Sequence, residues 1–187
     1  MNALRKSSCL AALAALLLAP GLSRADQNDE RLDALFQQLQ EAETTMAALP
    51  LEADIWTIWH EHPDPQVQAL LLQGIAQMNA DDLRGALTTF DRVVAQAPDF
   101  AEGWNKRATV QYLLGNHKAS EADIEATLAL EPFHFGALSG LGLVCLAQGE
   151  YFRARRAFLS ALEVYPTMSG VKQNLQALEQ LLDNRAI

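Results

Sequence analysis

This 187-residue chain has only two cysteines and far fewer basic than acidic residues. Fourteen Lys and Arg stand against 23 Asp and Glu, a formal net charge of −9. Three of the fourteen, Arg5, Lys6 and Arg24, fall in the first 25 residues, which hold no acidic residue; eleven against 23 remain beyond them, a net charge near −12. Nucleic-acid affinity comes largely from Lys and Arg neutralising phosphates, so nucleic acid is not an expected partner. A protein partner steered by charge should carry basic patches. The two cysteines, Cys9 and Cys145, are split the same way. A single thiol beyond residue 25 can form neither an internal disulfide nor a cysteine metal cluster, so packing must supply the stability.

Other absences narrow the chemistry. No segment alternates with the period of a strand. No GxSxG, HExxH, strand-linked GxGxxG or phosphate-cradling glycine loop is present. Acidic residues such as Asp81, Asp82, Glu121, Asp123 and Glu125 scatter along polar helix faces and read as solvated surface. His60-Glu61-His62 invites a metal reading, but histidines two apart on a helix point to different sides, whereas helical zinc pairs sit four apart. Beside Pro63 they read as solvated residues at a helix end. His117 and His134 have no evident partner. No catalytic residue, metal or cofactor is expected.

The leader has its own layout. Arg5 and Lys6 precede a ten-residue apolar run, Leu10 to Ala19, and Pro20-Gly21 ends it. Ser23 and Ala25 place small residues before a cut at Asp26. These are the three parts of a secretory signal. The run is half the ~20 residues needed to span a bilayer, and Cys9 precedes it, which disfavours lipidation. Residues 1–25 are therefore expected to be a cleaved signal and the chain periplasmic, touching membrane only if the signal stays uncleaved as an inner-membrane anchor.

A period organises most of the rest. Pro98, Pro132 and Pro166 lie 34 residues apart and divide residues 67–168 into units 67–100, 101–134 and 135–168. Their eighth residues are Gly74, Ala108 and Gly142, their twentieth Ala86, Ser120 and Ala154, their twenty-fourth Phe90, Ile124 and Phe158. Small residues facing bulky ones let two helices of a unit approach closely. Asp81, Gly115 and Gly149 stand fifteenth, where a first helix must end in a left-handed conformation. A helical solenoid follows.

The columns WxxRA, LLGN and LALEP over Trp104–Pro132, with LxxLG, AQGEY, ARRAF and ALEVYP over Leu138–Pro166, resemble the tetratricopeptide repeat. Gln73 and Arg107 depart from its apolar seventh column, and Gln77 and Gln111 from its eleventh. The resemblance implies an all-α solenoid of three units, whose first helices line a groove for a peptide or partner helix. Groove positions carried over to this chain include Leu71, Ile75, Asn105, Thr109, Tyr112, Ser139 and Leu143. Of the family's carboxylate-clamp residues only Asn105 is matched, so capture of a C-terminal carboxylate by that route is not expected. Arg107 faces Asp123 within its unit, and an intra-repeat ion pair is the favoured reading over ligand recognition.

Apolar residues from Leu32 to Ala42, within a stripe over 29–48, and Ile55, Ile58 and Trp59 after Pro50 give a helical pair over 26–66. It can be a degenerate fourth unit, with Pro50 in a first turn. It can also cover the stripe Leu71, Ile75 and Met78. Residues 169–187 supply a capping helix with Lys172, Gln173, Gln176, Glu179 and Gln180 outward. The function expected is a periplasmic adaptor or scaffold for a protein or peptide, with no obligate oligomer. The alternatives are a permanent structural subunit of an envelope assembly and, more remotely, an enzyme.

Overall fold

The computed structural model describes residues 27–185, so the expected signal segment lies outside the described residues. Among these are nine helices and no strand: α1 Arg31–Glu41, α2 Thr45–Trp59, α3 Pro65–Asn79, α4 Leu83–Gln96, α5 Ala101–Leu113, α6 His117–Leu130, α7 Phe135–Ala147, α8 Tyr151–Val164 and α9 Ser169–Arg185. The chain is an all-α solenoid, with α3–α4, α5–α6 and α7–α8 as its three hairpins and α9 laid against α8.

Local chemistry sets the helix ends. Pro65 opens α3 where a missing N–H is harmless, and the Asp64 carboxylate accepts from Gln66 N at 2.7 Å. Asp82 caps α4 through Gly85 N at 2.9 Å. Each first helix of a hairpin ends on a positive φ: 61° at Asp81, 78° at Gly115 and 77° at Gly149. The fifteenth column is thus the left-handed terminator that its residue types indicate.

The small columns close the hairpins. A Cβ on Gly74 would lie 2.5 Å from Phe90 Cε1, and one on Gly142 would collide with the Phe158 ring. Ala154 and Phe158 are fully buried with Cys145, and α9 covers them with Val171 and Leu178. The polar residues Lys172, Gln173, Gln176, Glu179 and Gln180 face outward.

The N-terminal pair departs from the sequence reading. The stripe over 29–48 is not one helix: the chain extends at Ala42, and Thr44 caps a new helix by accepting from Ala47 N at 3.2 Å. Pro50 is the sixth residue of α2 rather than in its first turn. Its missing N–H costs one bond on a solvent-facing flank, where water can satisfy the freed carbonyl. Nor does the pair stack ahead of α3 as a fourth unit. It folds back so that Leu32, Phe36, Leu39, Ile55 and Trp59 share a core with Phe135, Val164 and Tyr165 of the third unit. Thr45 Oγ1 donates to Thr167 O at 3.2 Å, and Tyr165 OH donates to Glu52 Oε2 at 3.0 Å. Burial, then the Glu52 carboxylate, pushes the Tyr165 phenol up to about 12.

Candidate groove and its built-in occupant

The second position of each unit is Gln68, Glu102 and Gly136, on α3, α5 and α7, and α2 with its exit turn crosses all three. Gln68 holds the exit turn by its amide: Nε2 donates to His60 O at 3.0 Å, and Oε1 accepts from His62 N at 2.7 Å. Gly136 makes room for an indole, since a Cβ there would sit 2.8 Å from Trp56 Cη2. Glu102, between them, anchors a buried polar cluster.

Glu102 is 1% exposed. Its Oε2 accepts from Asn105 Nδ2 at 2.8 Å and lies 3.0 Å from His134 Nε2; its Oε1 lies 2.9 Å from Lys106 Nζ and 3.0 Å from His60 Nε2. His134 Nδ1 accepts from Ala137 N at 3.1 Å, capping α7, so the ring's proton sits on Nε2 and is donated to Glu102. The ring lies flat on Trp59, centroids 3.9 Å apart and planes at 9°. Lys106 spans Glu102 and the face of Trp56, 5.0 Å from its centroid. Burial would raise the Glu102 carboxyl, but Lys106, His134 and His60 together hold it well below the usual carboxylate range.

Of the histidines read as solvated or unpartnered, His134 is fully buried, while His60 and His62 are half-buried and engaged. His60 pairs with Glu102 and stacks on Trp56 at 5.6 Å, and His62 Nδ1 accepts from Asp64 N with its ring against Phe100 at 4.8 Å. The signal was present in the sequence as Trp56, Trp59 and His60 at helical spacing, facing an acidic groove residue. It was weak because one polar residue on a helix has the same local pattern whether solvated or buried.

Beyond Trp56 the face stays open. A cleft of about 180 Å³ lies between α5 and α7, floored by Ser120 and Ile124 of α6. Asn105, Thr109, Tyr112, Ser139 and Leu143, carried over as groove residues, all line it. Leu71 does not belong to this opening: it is fully buried with Val67, Phe90, Phe100 and Val110, and Ile75 and Met78 pack against that core. That stripe is covered by its own repeat and α5, not by Trp56 and Trp59.

Arg107 is committed elsewhere. Its Nε and Nη2 donate to both Asp123 oxygens at 2.8 and 2.6 Å, Nη1 reaches Asp91 at 3.0 Å, and its guanidinium lies 4.8 Å from the Trp104 centroid. The favoured intra-repeat pair is formed, with a second carboxylate from the preceding unit. No group of three or more His, Cys, Asp or Glu among the described residues could hold a metal ion. No described helix is long and apolar enough to cross a membrane.

Helix hairpins of constant period, stacked with their first helices lining an open face, define a helical-repeat protein. The chain belongs to the tetratricopeptide-repeat family, whose model matches residues 71–124 and 114–169. A TPR repeat-containing protein of Rhizobium etli is 32% identical over 157 residues, which is 83% of this chain and 77% of that protein. The TPR domain of Sgt2 from Aspergillus fumigatus superposes with a TM-score of 0.63 at 21% identity, covering 66% of this chain and 83% of that one. The first TPR of Spaghetti, solved bound to an HSP90 peptide, gives 0.62 at 20% identity, with 64% and 96% covered. At these identities the two structures speak for the fold alone.

Proposed function

We propose that the chain is an exported, periplasmic adaptor that holds a peptide or partner helix in the cleft between α5 and α7. The observation that carries this is the convergence of five groove residues on one opening that the N-terminal helices leave uncovered. Peptide binding by the first TPR of Spaghetti is consistent with it. The net charge near −12 beyond the leader favours a partner with basic patches. Export rests on the basic start, apolar run and small residues of 1–25. A photo-crosslinking residue at Thr109, used in intact cells, should trap a partner that one at exposed Glu125 does not, and Gly140→Leu should abolish the trapping. Equal trapping at both positions would discredit the groove. Cell fractionation with N-terminal sequencing tests export: a start at Asp26 supports it and a start at Met1 overturns it.

A further inference from the structure

Resting on that assignment of the cleft, we propose that its occupant is one uncharged aliphatic side chain, of leucine or methionine size, presented by a peptide laid alongside α2. Apolar cavities of about 150 Å³ accept a guest the size of benzene. An opening of about 180 Å³ thus takes a single large side chain rather than a stretch of chain.

Charge sets the chemistry. No ionisable side chain other than the Tyr112 phenol lines the cleft. Glu102, which holds the lining Asn105, is paired with Lys106 at 2.9 Å, and the His117 ring lies 5.5 Å from the Tyr112 ring. A carboxylate, phosphate or ammonium entering here would lose water and gain no counter-charge. Several lining polar groups are already engaged: Asn105 Nδ2 donates to Glu102, Thr109 Oγ1 to Asn105 O at 2.9 Å, and Ser120 Oγ to Ala108 O at 2.8 Å. Tyr112 and Ser139 keep hydroxyls with no hydrogen bond among the described residues. They can bond the amide groups of a peptide whose side chain enters between them.

The surface continues one that is already occupied. Gly136 receives Trp56 of α2 on one flank and lines the cleft on the other. One turn on, a Cβ at Gly140 would meet only Ile124 Cδ1, at 3.6 Å. The chain thus lays its own apolar side chain against α7 and leaves the next place, toward the C-terminal end of α7, for the partner's.

The test titrates the 26–187 protein with blocked pentapeptides differing only in a central leucine, alanine, aspartate or lysine, read by amide NMR shifts. The leucine peptide should give saturable shifts at Thr109, Tyr112, Gly140 and Leu143. Alanine should bind at least about tenfold more weakly, because buried apolar area supplies the affinity. Gly140→Leu should abolish the shifts. Gly140→Ala, whose Cβ makes only an ordinary contact, should fold and weaken them several-fold. Tight binding of the aspartate or lysine peptide, shifts mapping elsewhere, or an unchanged Kd in both variants would overturn the proposal. If Thr109 traps a partner that Gly140→Leu blocks, yet no leucine peptide binds, the anchor chemistry is wrong and the adaptor reading stands. If neither occurs, both fall.

Discussion

His134 Nε2 lies 3.0 Å from Glu102 Oε2, and both side chains are sealed from solvent. The bond joins residues 32 apart, one at the second position of a unit and the other at its close. A buried carboxylate persists only where opposite charges and hydrogen bonds offset its loss of water. Here Asn105 and Lys106 come from the same helix, His134 from the start of α7 and His60 from the end of α2. The cluster therefore ties the N-terminal helices to the solenoid as well as one unit to the next.

Removing the carboxylate should expose that dependence. Glu102→Ala leaves Lys106 without its counter-charge and His134 without its acceptor, and should cost less than the roughly 3–5 kcal/mol of a fully buried pair because Lys106 is 18% exposed. Glu102→Gln keeps an acceptor and should cost less. Urea unfolding of the three proteins checks this; a loss below about 1 kcal/mol for the alanine variant would deny the cluster its role.

Acid should loosen the same joint. The folded pKa of Glu102 is depressed, so its contribution is fully present above its ordinary value of 4.5 and is lost as pH falls toward the folded value. Glu131 acts with the opposite sign: burial raises its carboxyl, so its contribution favours folding at lower pH and fades as pH rises through the folded value. Wild type should therefore lose stability more steeply below about pH 4.5 than Glu102→Gln, while Glu131→Gln should retain that loss. Denaturant melts between pH 3 and 7 separate these outcomes; parallel profiles for wild type and Glu102→Gln would refute the assignment.

Arg107 and Asp123 should behave as partners. Arg107→Ala should cost less than the roughly 3–5 kcal/mol of a fully buried pair, because the guanidinium side chain is 19% exposed and also meets Asp91. The double variant should lose less than the sum of the single losses, with a coupling of about 0.5–3 kcal/mol. Additive losses in a double-mutant cycle would contradict the bidentate geometry.

The interhelix seam can be overpacked. Gly142→Ala gains up to about 1 kcal/mol of helix propensity, yet its Cβ strikes the Phe158 ring. Overpacking costs about 1–3 kcal/mol, so net destabilisation is expected. Ala154→Leu should lose a similar amount, whereas exposed Gln180→Leu should stay within about 0.5 kcal/mol. Thermal melts that rank Gln180→Leu with the other two would contradict the seam.

Cys145 should be silent in the native protein. It is fully buried, and that burial, the largest influence on its thiol, pushes the pKa up. Maleimide labelling should proceed only after unfolding, since reactivity needs an exposed thiolate.

The sequence by itself determined the solenoid. Its period, its terminators Asp81, Gly115 and Gly149, and its small-against-bulky columns act within one hairpin or between neighbours, so the relevant residues recur in phase. The Arg107–Asp123 pair, sixteen residues apart in one hairpin, was legible for the same reason. Only the tertiary structure decided where α1 and α2 go. An apolar stripe says that a face is covered, never by what, and the pair found its cover against Phe135, Val164 and Tyr165, at separations that follow no repeat. That choice brought His60 onto Glu102, bent the chain over Gln68, Glu102 and Gly136, and left the cleft at Tyr112 and Ser139 open. Leu71 and Tyr112 carry the same kind of column label; the packing of α5 on α3 and α4 buries the first, while the missing side chains of Gly136 and Gly140 leave space beside the second.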